Sequence, residues 1–239
     1  MAWFEEWFGE EYLELYTHRD EREAERHLDF VERHFGATRP TAVLDLACGA
    51  GRHTLALRER GYRALGIDLS LTLLTRPPAF PRVNGDICRL PFAPGAFDWV
   101  LNFFTSFGYF EEERQNFRVL EEIVRVLSPG GRFLIDLFNR DRVIANLVRE
   151  EEQELDGRRI VISRWFDQER QRVNKRIRIV PEEGPERSFL ESVRAYREEE
   201  VVIGLRWAGL RVEGVYGSFE GEPFHRDSKR LILVGSKPI

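Results

Sequence analysis

Three aspartates and two glycines carry the first chemical signal in this sequence. The run Asp45-Leu46-Ala47-Cys48-Gly49-Ala50-Gly51 stands where an apolar stretch gives way to a helical pattern. Glycines at such a turn let the backbone approach a ligand and take torsions closed to other residues. Asp45 lies in the first apolar run, Asp68 closes a second, and Asn84-Gly85-Asp86-Ile87 closes a third. If these runs are neighbouring parallel strands, the acids meet at one crevice, because ligands of open α/β sheets bind beyond the carboxyl ends of the strands. Ionised carboxylates only accept hydrogen bonds, so their natural partners are sugar hydroxyls and exocyclic amines. That is nucleoside chemistry. The glycine pair followed by Asp68 also suits a dinucleotide, although Thr54 stands where a third glycine would be expected. On these residues alone the two nucleotide readings stay open.

Stepping outward, the apolar runs Val43 to Ala47, Ala64 to Asp68, Val83 to Asp86, Trp99 to Leu101 and Phe133 to Asp136 are predicted strands. Between them, Arg52 to Arg60 is a predicted helix closed by Gly61. A second, Glu113 to Leu127, carries Phe117, Leu120, Ile123, Val124 and Leu127 on one face and is stopped by Pro129-Gly130-Gly131. Strands alternating with helices imply a parallel sheet covered on both faces. From Phe4 to Phe35, Leu13, Tyr16, Ala24, Leu28, Val31 and Phe35 recur at helical steps, giving a helical cap that breaks at Gly36 to Pro40. Beyond Glu150 the rhythm changes. Arg159 to Phe166, Val173 to Val180 and Phe189 to Tyr196 are strand-like with turns between them, an antiparallel insertion. Arg197 to Trp207 returns to helical spacing before two final strands, Leu210 to Tyr216 and Arg230 to Ser236.

The 239 residues are 42% hydrophobic, enough to fill a core, and the net charge of −5 offers no basic field for nucleic acid. The uncharged stretch Trp99 to Phe110 is too short to span a bilayer, and no basic-then-apolar leader pattern opens the chain, so a cytoplasmic location is expected. Cys48 and Cys88 fall at strand ends and suit reduced thiols. His18, His27, His34, His53 and His225 lack the grouping of metal ligands, so no metal is expected.

With these motifs in place, nearly the whole chain resembles the class I S-adenosylmethionine-dependent methyltransferases. Val43 to Gly51 is similar to their first motif, with Ala47 replacing a frequent glycine. Phe103-Phe104-Thr105-Ser106-Phe107-Gly108-Tyr109-Phe110, Leu127-Ser128-Pro129-Gly130-Gly131 and the closing strand pair look like a bacterial small-molecule subgroup. Leu15 to Gly51 is similar to glycine N-methyltransferase-like enzymes. The resemblance implies a Rossmann-like seven-stranded sheet whose final pair is antiparallel. The expected division is an N-terminal helical cap over residues 1–36, the cofactor-binding domain over 37–146 and 197–239, and a substrate lid over 147–196. It implies that Gly49 and Gly51 admit the methionine part, Asp68 bonds the ribose hydroxyls, Leu69 packs on adenine, Asp86 accepts from the adenine amino group and Ile87 covers the ring. Asp45, Ala47, Tyr16 and Asn102, which follows the fourth strand, complete the expected cofactor contacts.

The implied activity is transfer of the cofactor's methyl group to a small-molecule nucleophile, leaving S-adenosylhomocysteine. A sulfonium methyl is already activated, so alignment and exclusion of water carry much of the catalysis, and no particular residue is assigned as base. Tyr12, Arg19, Phe107 and Tyr109 are the candidate acceptor-side residues. Arg19 or Arg22 would meet a carboxylate, and the aromatic run from Phe103 to Phe110 would wall a cationic sulfonium. Trp165, Phe166 and the loop from Phe219 to Arg230 are expected to cover the substrate. Asn102-Phe103-Phe104 departs from the Asn-Pro-Pro-Tyr pattern of DNA amino-methylation. Two rivals stand beside this reading: a nicotinamide-dependent oxidoreductase and a non-catalytic protein that binds the same cofactor.

Overall fold

The computed structural model describes residues 2–16, 21–36 and 41–239; Arg19 therefore lies outside the described residues. Two short helices, α1 (Trp3–Trp7) and α2 (Glu10–Leu15), precede the long α3 (Glu21–Phe35). Ala24, Leu28 and Val31 fall at helical steps on α3 and are all buried, the face that its amphipathic pattern dictates.

Next come β1 (Ala42–Leu46), α4 (Arg52–Glu59), β2 (Arg63–Asp68), the single turn α5 (Leu71–Leu74), β3 (Arg82–Asn84), β4 (Phe97–Asn102), α6 (Glu113–Val126) and β5 (Leu127–Phe138). A short α7 (Arg140–Ala145) leads to β6 (Glu150–Leu155), β7 (Arg158–Asp167), β8 (Arg172–Val180) and β9 (Arg187–Arg194). The chain returns through α8 (Glu198–Ala208) to β10 (Arg211–Tyr216) and β11 (Arg230–Ser236).

Seven strands form one sheet in the order β10-β11-β5-β4-β1-β2-β3. β3, β2, β1, β4 and β5 run parallel, and β11 lies antiparallel between β5 and β10. The chain leaves β1 toward β2 on one side and later reaches β4 on the other. The carboxyl end of β1 is therefore the switch point where such sheets bind ligands. Leu44, Leu46, Val100 and Phe133 pack toward α6 and α8 on one face, while Val43, Leu101 and Leu134 pack toward α3 and α4 on the other. Strands covered on both faces read as continuous apolar runs, which is why their sequence shows them clearly.

The second sheet is an antiparallel meander, β6-β7-β8-β9. Its inner face carries Ile160, Ile162, Ile177 and Ile179, which join Trp7 and Tyr12 of the N-terminal helices in a separate apolar cluster. The cap is thus split: α3 lies against the large sheet, and α1 with α2 lies on the insertion. β6 reads Glu-Glu-Glu-Gln-Glu-Leu and shows no apolar alternation, because as an exposed edge strand it buries almost nothing. The third strand stops at Asn84, short of the expected Asp86, which stands in the following turn and accepts from the Cys88 amide at 2.8 Å. No helix among the described residues is long and apolar enough to cross a membrane.

Candidate active site

A cavity of about 540 Å³ opens at the carboxyl ends of β1, β2 and β4 and is bounded on its other side by α1, α2 and the insertion sheet. Asp45, Ala47, Gly49, Asp68, Leu69, Asp86 and Ile87 line it, as do Tyr12, Tyr16 and Tyr109. Ten of the sequence-predicted residues therefore share one cavity.

The loop after β1 turns sharply: Ala47, Gly49 and Gly51 all have positive φ, at 58°, 57° and 82°. Ala47 takes a left-handed conformation that costs an L-residue roughly 1–2 kcal/mol and that a glycine would adopt without strain. Asp68 ends β2 and receives the amides of Gly49 and Ser70, each at 2.8 Å. A carboxylate has about four lone-pair directions, and the Leu69 amide also contributes, so at least one remains for a ligand. Burial raises the Asp68 pKa, opposed by those amide bonds. Asp45 is buried deeper, accepts from the Thr54 hydroxyl at 2.7 Å, and is pushed up to about 6 by burial. A cationic group docked beside it would restore its charge.

Three predicted residues stand elsewhere. Gly51 does not line the cavity; a Cβ there would lie 2.3 Å from the Phe80 ring, so packing demands the glycine. Asn102 is buried at the end of β4, where its side-chain amide donates to the Leu46 carbonyl at 2.9 Å and ties two strand ends together. Phe107 sits in the main core with its ring 5.2 Å from that of Tyr196. The lid residues also need correction. Trp165 is exposed on the outer face of the insertion, Phe166 lies beneath the Arg140 guanidinium, and Phe219 stacks on His27 at 3.7 Å. Strand alternation accounts for Trp165: Arg164 pairs with Lys175, and Lys175 with Glu191, so these three share one face while Trp165 takes the other. Arg164, Lys175 and Glu191 line the cavity. Sequence reasoning misses them, since charged residues on a strand usually mark its solvated face.

The cavity wall formed by the residues after β4 is held by two buried networks. Phe104 and Thr105 follow β4 with φ of 60° and 59°, a pair of non-glycine residues in left-handed conformation. Such strain persists only where surroundings enforce it. Here the buried Asp136 carboxylate accepts the Phe104 amide at 2.8 Å and the Arg230 Nε at 2.6 Å, and the Asp136 carbonyl accepts the Thr105 amide at 2.8 Å. Arg172, also buried, donates to the carbonyls of Gly108, Tyr109 and Phe110 and to Ser192, stitching the loop after β4 to β9. Behind the wall, His27 Nδ1 and His53 Nε2 are 3.0 Å apart, so one ring donates to the other. Burial, with Arg52, Arg230 and Arg26 nearby, lowers His27 to about 3.

The parallel sheet and the acids gathered at its switch point suit a nucleoside ligand, and comparison with known proteins gives the class. Residues 44–135 match the methyltransferase domain family. The chain is 30% identical over 203 residues to a cypemycin N-terminal methyltransferase from a Streptomyces species, covering 80% of this chain and 81% of that protein. Among solved structures, an S-adenosylmethionine-dependent methyltransferase from Clostridium acetobutylicum aligns with a TM-score of 0.79 at 18% identity, covering 95% of this chain and 96% of that one. A sugar N-methyltransferase from Streptoalloteichus aligns with a TM-score of 0.73 at 21% identity, covering 97% and 94%. The chain belongs to the class I S-adenosylmethionine-dependent methyltransferases. The nicotinamide reading falls with that assignment.

Proposed function

We propose that this enzyme moves the methyl group of S-adenosylmethionine to the nitrogen of a small-molecule amine, leaving S-adenosylhomocysteine. The observation that carries the cofactor half is the arrival of Asp45, Asp68 and Asp86 from neighbouring β1, β2 and the turn after β3 in one cavity. The donor set suits the cofactor: Asp68 has at least one lone pair left for a ribose hydroxyl, and Asp86 Oδ2 remains for an adenine amino group while Oδ1 accepts the Cys88 amide. Leu69 and Ile87 flank that position with apolar surface, and Asp45 offers a carboxylate to the amino-acid end. When bound, the cofactor supplies a sulfonium-activated methyl group.

The chain's own task is then alignment and exclusion of water. The rings of Trp3, Phe8, Tyr12, Tyr16 and Tyr109 enclose the rest of the cavity, and Arg172 with the Asp136–Arg230 pair fixes the wall opposite them. Nitrogen is favoured as acceptor by the proteins that the chain resembles: an N-terminal methyltransferase in sequence and a sugar N-methyltransferase in fold. Calorimetry with S-adenosylhomocysteine, followed by labelled methyl transfer to paired amines and alcohols, tests both halves. Binding and N-methyl products are the expected outcome. Absence of binding overturns the cofactor half, and product on oxygen alone overturns the amine.

A further inference from the structure

We infer that Glu191, on the insertion strand β9, receives the amino group of the methyl acceptor beside Tyr16, in competition with the ammonium of Lys175. The inference rests on the amine reading above and adds the residue that would enforce it. Among the described residues, four carboxylates line the cavity. Asp45, Asp68 and Asp86 stand at the ends of the large sheet, and Glu191 is the one that the insertion supplies.

Three donors converge on its Oε1: Trp7 Nε1 at 2.6 Å, the Tyr16 hydroxyl at 3.4 Å and Lys175 Nζ at 3.4 Å. Among the described residues these bonds all fall on one oxygen, which leaves Oε2 to accept an N–H from a ligand. The carboxylate is held from α1, from the residue after α2 and from β8, so it meets a ligand already positioned. Tyr16 bonds to it, Tyr12 and Phe8 line the same cavity, and aromatic faces attract cations. The chain shows this preference on its own ammonium: Lys175 Nζ lies 4.7 Å from the centroid of the Tyr16 ring and donates to the Tyr16 hydroxyl as well as to Glu191. A carboxylate among aromatic faces is a site for an ammonium or an amine. An alcohol of the same shape could use the hydrogen bond but not the charge.

The same carboxylate anchors α1 through Trp7, which is fully buried. Glu191→Ala would strip the indole of its acceptor and mix a docking defect with a binding defect. Glu191→Gln keeps an oxygen for the indole while it removes the charge and turns the ligand-facing acceptor into a donor, so it is the informative variant.

The probes are phenethylamine and its neutral analogue 2-phenylethanol, titrated calorimetrically into protein saturated with S-adenosylhomocysteine. Wild type should bind the amine about tenfold more tightly than the alcohol. Glu191→Gln should lose that preference, with its affinity for S-adenosylhomocysteine changed less than twofold. Lys175→Met removes a competing ammonium and should tighten amine binding severalfold. Equal binding of both probes by wild type, no binding of either, a preference retained in Glu191→Gln, or weaker amine binding by Lys175→Met each overturns the assignment. Failure of S-adenosylhomocysteine to bind strikes the cofactor reading instead, and methyl transfer confined to oxygen strikes the amine reading.

Discussion

The two halves of the cavity, the one proposed for the cofactor and the one proposed for the methyl acceptor, are built on opposite plans. The cofactor half comes from a single stretch of chain, Asp45 to Ile87, in which successive strand ends lie side by side and present short, mostly backbone-anchored acids. The acceptor half draws on α1, the residues after β4 and strands β7 to β9, and its polar contacts span long separations: Trp7 to Glu191, Tyr16 to Lys175, Arg172 to Tyr109. The first is rigid because sheet hydrogen bonds fix it. The second is fixed by side chains gripping one another, and so its shape can be changed without disturbing the first.

Removing a side chain that grips the acceptor half should separate the two most sharply. Trp7→Ala is expected to cost about 3–5 kcal/mol of stability through the cavity it opens and the bond it loses. Methyl transfer should collapse while S-adenosylhomocysteine affinity stays within a few-fold, measured by thermal unfolding and calorimetry. Equal loss of both would show that the halves are not independent.

Acid titration probes the seam between them. His27 is held neutral in the fold at about 3, against an ordinary value of 6.5 in the unfolded chain. The unfolded state therefore gains the proton first. Stability falls as pH drops below about 6.5, by up to about 1.4 kcal/mol per pH unit. Asp45 works in the opposite sense, because its raised value of about 6 makes the fold keep a proton that the unfolded chain releases near 3.8. Its protonation restores stability as pH falls between those values. In a denaturant series across pH 4 to 8, His27→Gln should lose the acid-side decline, and Asp45→Asn should steepen it.

On the cofactor side, Asp68→Ala should weaken S-adenosylhomocysteine binding by about 1–3 kcal/mol, with the fold and the acceptor-side contacts intact. Unchanged affinity would remove Asp68 from the site. The smallest effect belongs to Ala47→Gly, which relieves a left-handed alanine and should raise stability by about 1 kcal/mol, read as a higher denaturation midpoint.

This contrast also decides how much was legible in the sequence. Val43, Leu44, Val100 and Phe133 announce buried parallel strands through unbroken apolar runs, and the order of strands and helices follows from their alternation. Asp45, Asp68 and Asp86 could be placed together because each sits just at or beyond a strand end. Glu191 and Lys175 could not. Their partners Trp7 and Tyr16 lie far away in the chain, and only the register of β8 with β9 sets them side by side. Trp165 was misplaced for a related reason: without knowing which face of β7 turns inward, a large aromatic looks like the buried residue, yet Arg164 is the one that faces the cavity. Gly51 matches a ligand-binding motif and yet yields to the Phe80 ring, so a motif letter can have a packing cause.

The position of β11 bears on how the protein comes into being. The strand furthest along the sequence is an interior one, hydrogen-bonded to β5 on one side and β10 on the other. Its first residue, Arg230, grips the turn after β4. β5 therefore gains its partner on that side only when this distant segment has folded back onto it. A chain folded without this strand would leave Asp136 and Thr105 without the Arg230 guanidinium, and so without the tie that holds the left-handed turn after β4.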